Sequence, residues 1–292
     1  MSTTALKLSD SQFDRLRRII YERAGIHFAD TKKYVLESRL SRRLEELGFA
    51  DFNQYLLFLT AGPYQTDEFQ EMLNRVTINE TSFFRNEPQL NVFESRVLPE
   101  LFEARASTRT LRIWSAACSS GEEPYTLAIQ VHRSLGVRLK EWRIEILGTD
   151  ISAKALGMAQ EGRYGSYALR STPATVVDRY FQEQNGTHEI APEIRRLVRF
   201  EHLNLKDGLA ARRFGTFDVI FCRNVMIYFD DEMRRHCATM FHRQLADDGK
   251  LFIGHSETLE SCGEGFERLP IPQGFVYAKR SAAQVRGLSH AA

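Results

Sequence analysis

Apolar positions over the first 75 or so residues recur at helical spacing, with no strand-like alternation. Phe13, Leu16 and Ile20 share one face behind a Ser9–Gln12 capping pair, and Gly25 marks a stop. A second run, from about Asp30 to Leu47, stacks Leu36, Leu40, Leu44 and Leu47 in a narrow seam that ends at Gly48. Shorter helical patterns follow near Asp51–Leu59 and Thr66–Val76, separated by Ala61-Gly62-Pro63. The spacing predicts a small all-helical domain over residues 1–78.

The grammar then changes. Residues 79–108 read as a linker followed by an amphipathic helix from Pro88 to about Ala104. Short β-rich runs come next, at Leu111–Trp114, Ile144–Leu147, Val198–Phe200, Phe217–Phe221 and Leu251–Ile253. Helical patterns fall between several of them, at about Pro124–Leu135, Ala153–Glu161 and Asp231–Leu245. This alternation implies an α/β domain with a mainly parallel open sheet over residues 109–283. Phe275–Lys279 is expected as an antiparallel edge strand, and residues 163–200 break the rhythm as an inserted subdomain. Residues 284–292 are expected to be a flexible tail.

Composition narrows the classes. At 292 residues the length fits about two domains, and 43% hydrophobic with 26% charged residues describes an ordinary globule. A net charge of +1 argues against coating nucleic acid or anionic lipid by bulk electrostatics. No apolar run nears the roughly 18 residues of a membrane span, and the N-terminus lacks a signal-peptide core. The four cysteines form no C-x-x-C pair and read as free thiols, and the histidine spacing offers no metal site.

Four stretches carry candidate chemistry. Ser115 to Pro124 follows the first strand and opens a helix, with Ala117-x-Ser119-x-Gly121 standing where a nucleotide-binding turn carries glycines. Glu122 and Glu123 would repel a pyrophosphate and suit a cationic amino group, or merely complement the helix dipole. Asp150 ends the second strand, where an acid can accept both ribose hydroxyls or cap the following helix. Arg223, Asn224 and Tyr228 after the fourth strand, and Asn204 after the third, sit at the ligand-binding edge of such sheets. For the stretch after the fourth strand, an ordinary strand-to-helix connection capped by Asp230 or Asp231 is the bland alternative. Asn79–Asn86 joins the two parts, and its Phe83-Phe84 pair is either part of a site or a plug at the domain interface. The P-loop pattern is absent, and Gly254-His255-Ser256-Glu257-Thr258 is not a nucleophile elbow.

In order and spacing, Asn79-x-Thr81-x-Phe83-Phe84-Arg85, Ala116–Tyr125, Gly148-Thr149-Asp150-Ile151 and Phe221–Phe229 resemble the chemotaxis receptor methyltransferases, the CheR family. The likeness runs from about Leu8 to Arg280. It implies a helical N-terminal receptor-contact domain and a Rossmann-like S-adenosylmethionine-dependent methyltransferase domain with an inserted antiparallel β subdomain. It also implies a cytoplasmic enzyme of chemotaxis adaptation that uses no metal. Such an enzyme methylates glutamate carboxylates on the cytoplasmic helices of membrane chemoreceptors, giving methyl esters and S-adenosylhomocysteine. By position, Asn79, Thr81, Arg85, Glu122, Asp150, Asn204, Leu205, Arg223 and Asn224 would line the cofactor site. Tyr228 would lie near the transfer point, with Arg85 holding either the cofactor's or the substrate's carboxylate.

A glutamate is already ionised at neutral pH, so the reaction needs orientation and water exclusion rather than a general base. Lys32, Arg39, Arg42 and Arg43 fall beside the leucine seam of the second helix, interrupted by Glu46. A solvated face is the plain explanation; the family's use of this domain favours Arg39, Arg42 and Arg43 as substrate-binding residues. Phe181–Glu189 holds a single glycine, so docking on a receptor's C-terminal peptide, which accompanies a glycine-rich loop in the family, is doubtful. A methyltransferase for another substrate and a non-catalytic S-adenosylmethionine-binding adaptor are the rival classes.

Overall fold

The computed structural model describes residues 6–61, 65–263 and 265–280. The expectations for Gly62-Pro63, the first five residues and the tail beyond Ser281 lie outside these residues.

Helix α1 (Asp10–Ala24) begins at the capping box: Ser9 Oγ accepts from Gln12 N at 3.3 Å, and Gln12 Oε1 accepts from Ser9 N at 2.8 Å. Such a cap stabilises a helix by about 1 kcal/mol. Gly25 ends it at φ 71°. After a 3-10 turn over Asp30–Lys32, α2 (Lys33–Glu46) buries Leu36, Leu40 and Leu44 completely, while Leu47 beyond its end is half-buried. α3 (Phe52–Ala61) and α4 (Gln65–Val76) close this unit around a core of its own.

A buried carboxylate ties three of these helices together. Glu68 of α4 is 3% exposed. It accepts two bonds from Arg43 of α2, at 3.1 and 2.6 Å, and one from the Tyr55 hydroxyl of α3 at 2.9 Å. Arg43 therefore faces inward, contrary to its place in the expected receptor strip. Helical angle alone put it near the polar face. The buried acid of α4, distant in sequence, draws it back.

A helical rod follows, with α5 (Glu87–Val92) and α6 (Leu98–Ala104) joined by a π-helical segment over Phe93–Val97. The α/β unit then runs β1 (Thr110–Ala116), α7 (Glu122–Leu135), β2 (Arg143–Asp150) and α8 (Ala153–Glu161). The inserted part holds β3 (Arg163–Tyr164), α9 (Ala174–Tyr180), β4 (Phe181–Gln184), β5 (Thr187–Ile190) and α10 (Pro192–Arg195). The chain returns through β6 (Val198–His202), α11 (Gly208–Ala211), β7 (Phe217–Cys222), α12 (Asp231–Gln244), β8 (Leu245–Ile253), β9 (Phe266–Arg268) and β10 (Val276–Lys279).

Among the described residues, seven strands form one sheet in the order β6-β2-β1-β7-β8-β10-β9. Neighbours from β6 to β8 pair in parallel, and β10 is antiparallel to both its neighbours. Apolar clusters cover the two faces of the sheet; one includes Ile113, Ile129 and Phe221, the other Trp114, Phe217 and Phe241. The chain leaves β1 toward β2 and β6, then returns to lay β7 on the other side of β1. That reversal opens a crevice at the carboxyl ends of β1 and β7.

Two expectations need correction. The strand at Val276–Lys279 is antiparallel but not at the edge, because the three-residue β9 pairs outside it. Three residues are too few to show a period. The insertion is a three-stranded antiparallel sheet, β3-β5-β4, and it ends before β6, which pairs with β2 in the main sheet.

Breaking the Glu68 network separates the structural arginine from its exposed neighbour. Arg43→Ala leaves a buried carboxylate unpaired and should cost about 3 kcal/mol in urea unfolding. Arg42, whose side chain is 83% exposed, should cost under ~0.5 kcal/mol on the same change.

Candidate functional site

The turn after β1 passes through three left-handed residues, Ala117 (φ 63°), Ser119 (φ 50°) and Gly121 (φ 93°). Each non-glycine residue in that region costs roughly 1–2 kcal/mol. The turn thus keeps the backbone of a glycine-rich loop although two of its three positions carry side chains. Gly121 is constrained further, since an added Cβ would lie 2.8 Å from Ala159 Cβ. Such strain persists where the surroundings over-determine it. Here Cys118 N donates to Thr149 O at 2.9 Å, and Ser119 N donates to Asp150 Oδ2 at 2.8 Å.

Asp150 is 7% exposed, and its other oxygen accepts from Ser152 N at 2.8 Å. Ser152 is the N-cap of α8, so the acid steadies the helix start as well as the β1 turn. Burial pushes its carboxyl above the ordinary range, against the pull of these backbone donors.

Arg223, just past β7, is 8% exposed. It donates to Glu123 Oε2 at 2.9 Å and to the Arg85 carbonyl at 2.7 Å, and its buried Nε has no partner among the described residues. Ser119 Oγ donates to the Asn79 carbonyl at 3.2 Å. One network therefore joins all four sequence motifs.

A cavity of about 750 Å³ lies at this junction. Asn79, Thr81 and Arg85 of the connector line it. So do Asp150, Asn204 and Leu205 from the ends of β2 and β6, and Arg223, Asn224 and Tyr228 from beyond β7. Arg39 reaches it from α2 while donating to the Val76 and Thr77 carbonyls at 2.6 and 3.3 Å, so it caps α4. Burial pushes the Tyr228 phenol up, opposed by Arg39 and Arg85, so it stays protonated near neutrality.

Of the residues expected in the cofactor wall, Glu122 is absent, and of the expected receptor strip only Arg39 reaches the cavity. Arg43 is spent on Glu68, and Arg42 pairs with Glu46 at 3.3 Å on the outer surface. The basic strip is therefore divided: Arg39 faces the cavity, Arg43 faces the core, and Arg42 faces solvent. Glu122 is 4% exposed and takes the Ser120 hydroxyl at 3.0 and 2.8 Å, while Glu123 lines the cavity in its place. Burial raises the Glu122 carboxyl too, against the Ser120 bond and the charge of Arg170. Asn204 lines the wall, but its amide donates to the Arg23 carbonyl at 2.6 Å and so also latches the two domains.

Other participants gave little signal in the sequence. His27 N donates to the Tyr228 carbonyl at 2.8 Å, and Ile26–Ala29 form part of the wall. Only the Gly25 stop hinted at a turn there. Phe83 packs edge-on against Tyr164 and Phe181 at 4.8 and 4.9 Å, so it plugs the connector into the inserted subdomain.

Reversed β10 in a seven-stranded sheet, the strained β1 turn and the acid ending β2 define a Rossmann-like S-adenosylmethionine-dependent methyltransferase fold. Residues 79–275 match the model of the CheR methyltransferase SAM-binding domain, and residues 11–77 match that of the CheR methyltransferase all-alpha domain. The chain belongs to the CheR methyltransferase family. It is 36% identical over 263 residues to chemotaxis protein methyltransferase 2 of Vibrio cholerae, covering 89% of each chain. It is 38% identical over 272 residues to the chemotaxis protein methyltransferase of Escherichia coli, covering 90% of each. The corresponding Borreliella burgdorferi protein is 36% identical over 262 residues, covering 87% of this chain and 90% of its own.

The donor set fits this cofactor: an acid for ribose hydroxyls, buried acids for an ammonium, and the open Nε of Arg223 for a carboxylate. Asp150 and Glu122 also give the site a pH dependence. Both are raised by burial, so their contribution to stability is present below the ordinary carboxylate range and lost as pH rises through their raised values. Binding that uses the ionised forms gains over that same window. Calorimetry with S-adenosylhomocysteine should show affinity rising by up to about tenfold per pH unit for each acid, then levelling. A profile already flat from the ordinary carboxylate range, about pH 4, upward would contradict it.

Proposed function

We propose that this protein transfers the methyl group of S-adenosylmethionine to glutamate carboxylates on the cytoplasmic helices of membrane chemoreceptors. The products are glutamate methyl esters and S-adenosylhomocysteine. The observation that carries this reading is the single cavity on the seam of the two domains. Groups suited to the cofactor sit at the strand ends, and Arg39, Arg85 and Tyr228 share the same space. The cofactor supplies an electrophilic methyl on a sulfonium sulfur; the protein's task is to bind, orient and exclude water.

Asp150 accepts the ribose hydroxyls with the acceptor capacity its backbone donors leave free. Buried Glu122 lies at the start of α7 and attracts the amino group by charge, with Glu123 on the wall beside it. Arg223 Nε donates to the amino-acid carboxylate. Asn79, Thr81, Asn204, Leu205 and Asn224 complete the cofactor's surroundings. Arg85 and Arg39 hold the acceptor carboxylate in line with the transferred group, and Tyr228 donates its hydroxyl hydrogen to it. No residue takes a proton, because the acceptor arrives ionised.

Around the cavity, Tyr34, Ile78 and Ile227 are 64%, 49% and 45% exposed and share the wall with these cations. An apolar rim with a cationic interior favours a protein-borne carboxylate over a small molecule. The names of the relatives point the same way. No described helix is long and apolar enough to cross a membrane, and receptor contact would fall to the helical domain through Arg39 and the exposed Arg42. β4 and β5 meet in a two-residue turn at Asn185-Gly186, both at positive φ, and docking on a receptor's terminal peptide is no part of this reading.

Incubation with methyl-labelled S-adenosylmethionine and chemoreceptor-bearing membranes should place label on the receptors, and mild base should release it as methanol. Base-stable label, or none, would overturn the assignment. Asp150→Ala should weaken S-adenosylhomocysteine binding by about 3 kcal/mol, roughly 100-fold. Unchanged calorimetric affinity would remove Asp150 from the site.

A further inference from the structure

The loop that follows β7 supplies Arg223, Asn224, Ile227 and Tyr228 to the cavity, yet it has no regular hydrogen-bonded partner strand. Asn224 stands at φ 59°, and Met226–Tyr228 form only a single 3-10 turn. Something outside the loop must fix it.

His27 N holds the Tyr228 carbonyl at 2.8 Å and Arg234 Nε the Met226 carbonyl at 3.1 Å, but three of the loop's N–H groups are taken by one carboxylate. Glu257, beyond β8, accepts the backbone N–H of Asn224 at 2.9 Å, Val225 at 3.0 Å and Ile227 at 3.3 Å. It also accepts the N–H of Gly254 at 2.6 Å, and its own N–H donates to the Gly254 carbonyl at 3.0 Å. Its two oxygens offer about four acceptor positions, and four backbone donors take them up. No ion pair reaches Glu257 among the described residues; the charge is balanced by peptide dipoles alone, as in an anion-binding nest. The clamp also explains Gly254, where a Cβ would fall 2.4 Å from Glu257 Oε2 and 3.0 Å from Asn224 N. Charged acceptors are required here: a neutral amide offers one oxygen and turns an N–H₂ group toward N–H donors.

We propose that Glu257 is a positioning residue for methyl transfer. It holds the Asn224–Tyr228 backbone in the conformation that aims Tyr228 at the acceptor and keeps Arg223 and Asn224 on the cofactor. It touches neither ligand. The proposal rests on the reading of the cavity as the methyl-transfer site.

Glu257→Gln tests it with three readouts on the full chain. Amide exchange of the peptide spanning residues 223–229 should rise at least tenfold, while peptides of β1 and β2 and the thermal midpoint stay near those of the parent. S-adenosylhomocysteine affinity should fall about tenfold. Turnover at saturating cofactor should fall further than affinity, because Tyr228 is displaced along with the cofactor contacts. Gly254→Ala pushes on the same clamp from the other side and should give the same pattern. Unchanged exchange and affinity in both variants would overturn the proposal. So would exchange that rises throughout the chain or loss of folding, since Glu257 would then be holding the fold rather than the site. The parallel Asp150→Ala protein separates the two ideas. If Asp150→Ala retains cofactor binding, the reading of the cavity fails; if it loses binding while Glu257→Gln is unaffected, only the clamp fails.

Discussion

The site depends on a backbone conformation that two of its own residues disfavour. Ala117 and Ser119 are left-handed at the end of β1, at roughly 1–2 kcal/mol each, with Gly121 completing the turn. The Asp150 carboxylate and the Thr149 carbonyl hold that turn from the next strand. Without them the α7 N-terminus would not face the crevice. The acid that steadies the turn is also the one proposed to meet a ribose. Burial raises this acid above the ordinary carboxylate range, against the pull of the backbone donors that hold it.

A second dependence lies between the domains. Beyond the Gly25 N–H that bonds Tyr21 O at 2.8 Å, the last carbonyls of α1 lack the partners a continuing helix would supply. Asn204 donates to Arg23 O at 2.6 Å and Lys206 Nζ to Tyr21 O at 2.8 Å, so loops of the α/β domain satisfy them. From the other side, Gln70 of α4 donates to the Ile151 carbonyl at 2.7 Å, and Asn74 accepts from Ser152 at 2.9 Å. The helical domain is thereby fixed over the crevice rather than tethered to it. Arg39 reaches the cavity for this reason, although it belongs to a helix whose apolar seam is turned the other way.

Much of this was legible in the chain. The capping box at Ser9, the leucine seam of α2 and the five parallel strands follow from spacing and residue type, because local hydrogen bonds and one-sided burial leave a period. Asp150, Asn204, Arg223 and Asn224 drew notice because they fall just past strand ends, whereas Asn79, Thr81, Arg85 and Leu205 entered only through the family resemblance. What escaped was decided by tertiary contact. Arg43 looked like part of a solvent-facing strip until a buried glutamate on α4 claimed it. Glu122 and Glu123 are neighbours in sequence, and only the packing of α7 decides that the second reaches the cavity. Glu257 was seen only as part of a stretch that is not a nucleophile elbow, since four backbone donors from two loops leave no mark on residue type. The three-residue β9 carries too short a pattern to be told from a turn.

In the proposed function, one cavity on the domain seam receives the cofactor at the strand ends and the acceptor carboxylate beside Arg39, Arg85 and Tyr228. A crystal structure of the protein with S-adenosylhomocysteine tests it most directly. The account predicts ribose hydroxyls on Asp150, the amino-acid carboxylate on Arg223, and the sulfur facing Tyr228. Density for the ligand outside this cavity, or within it with the ribose turned away from Asp150, would contradict it.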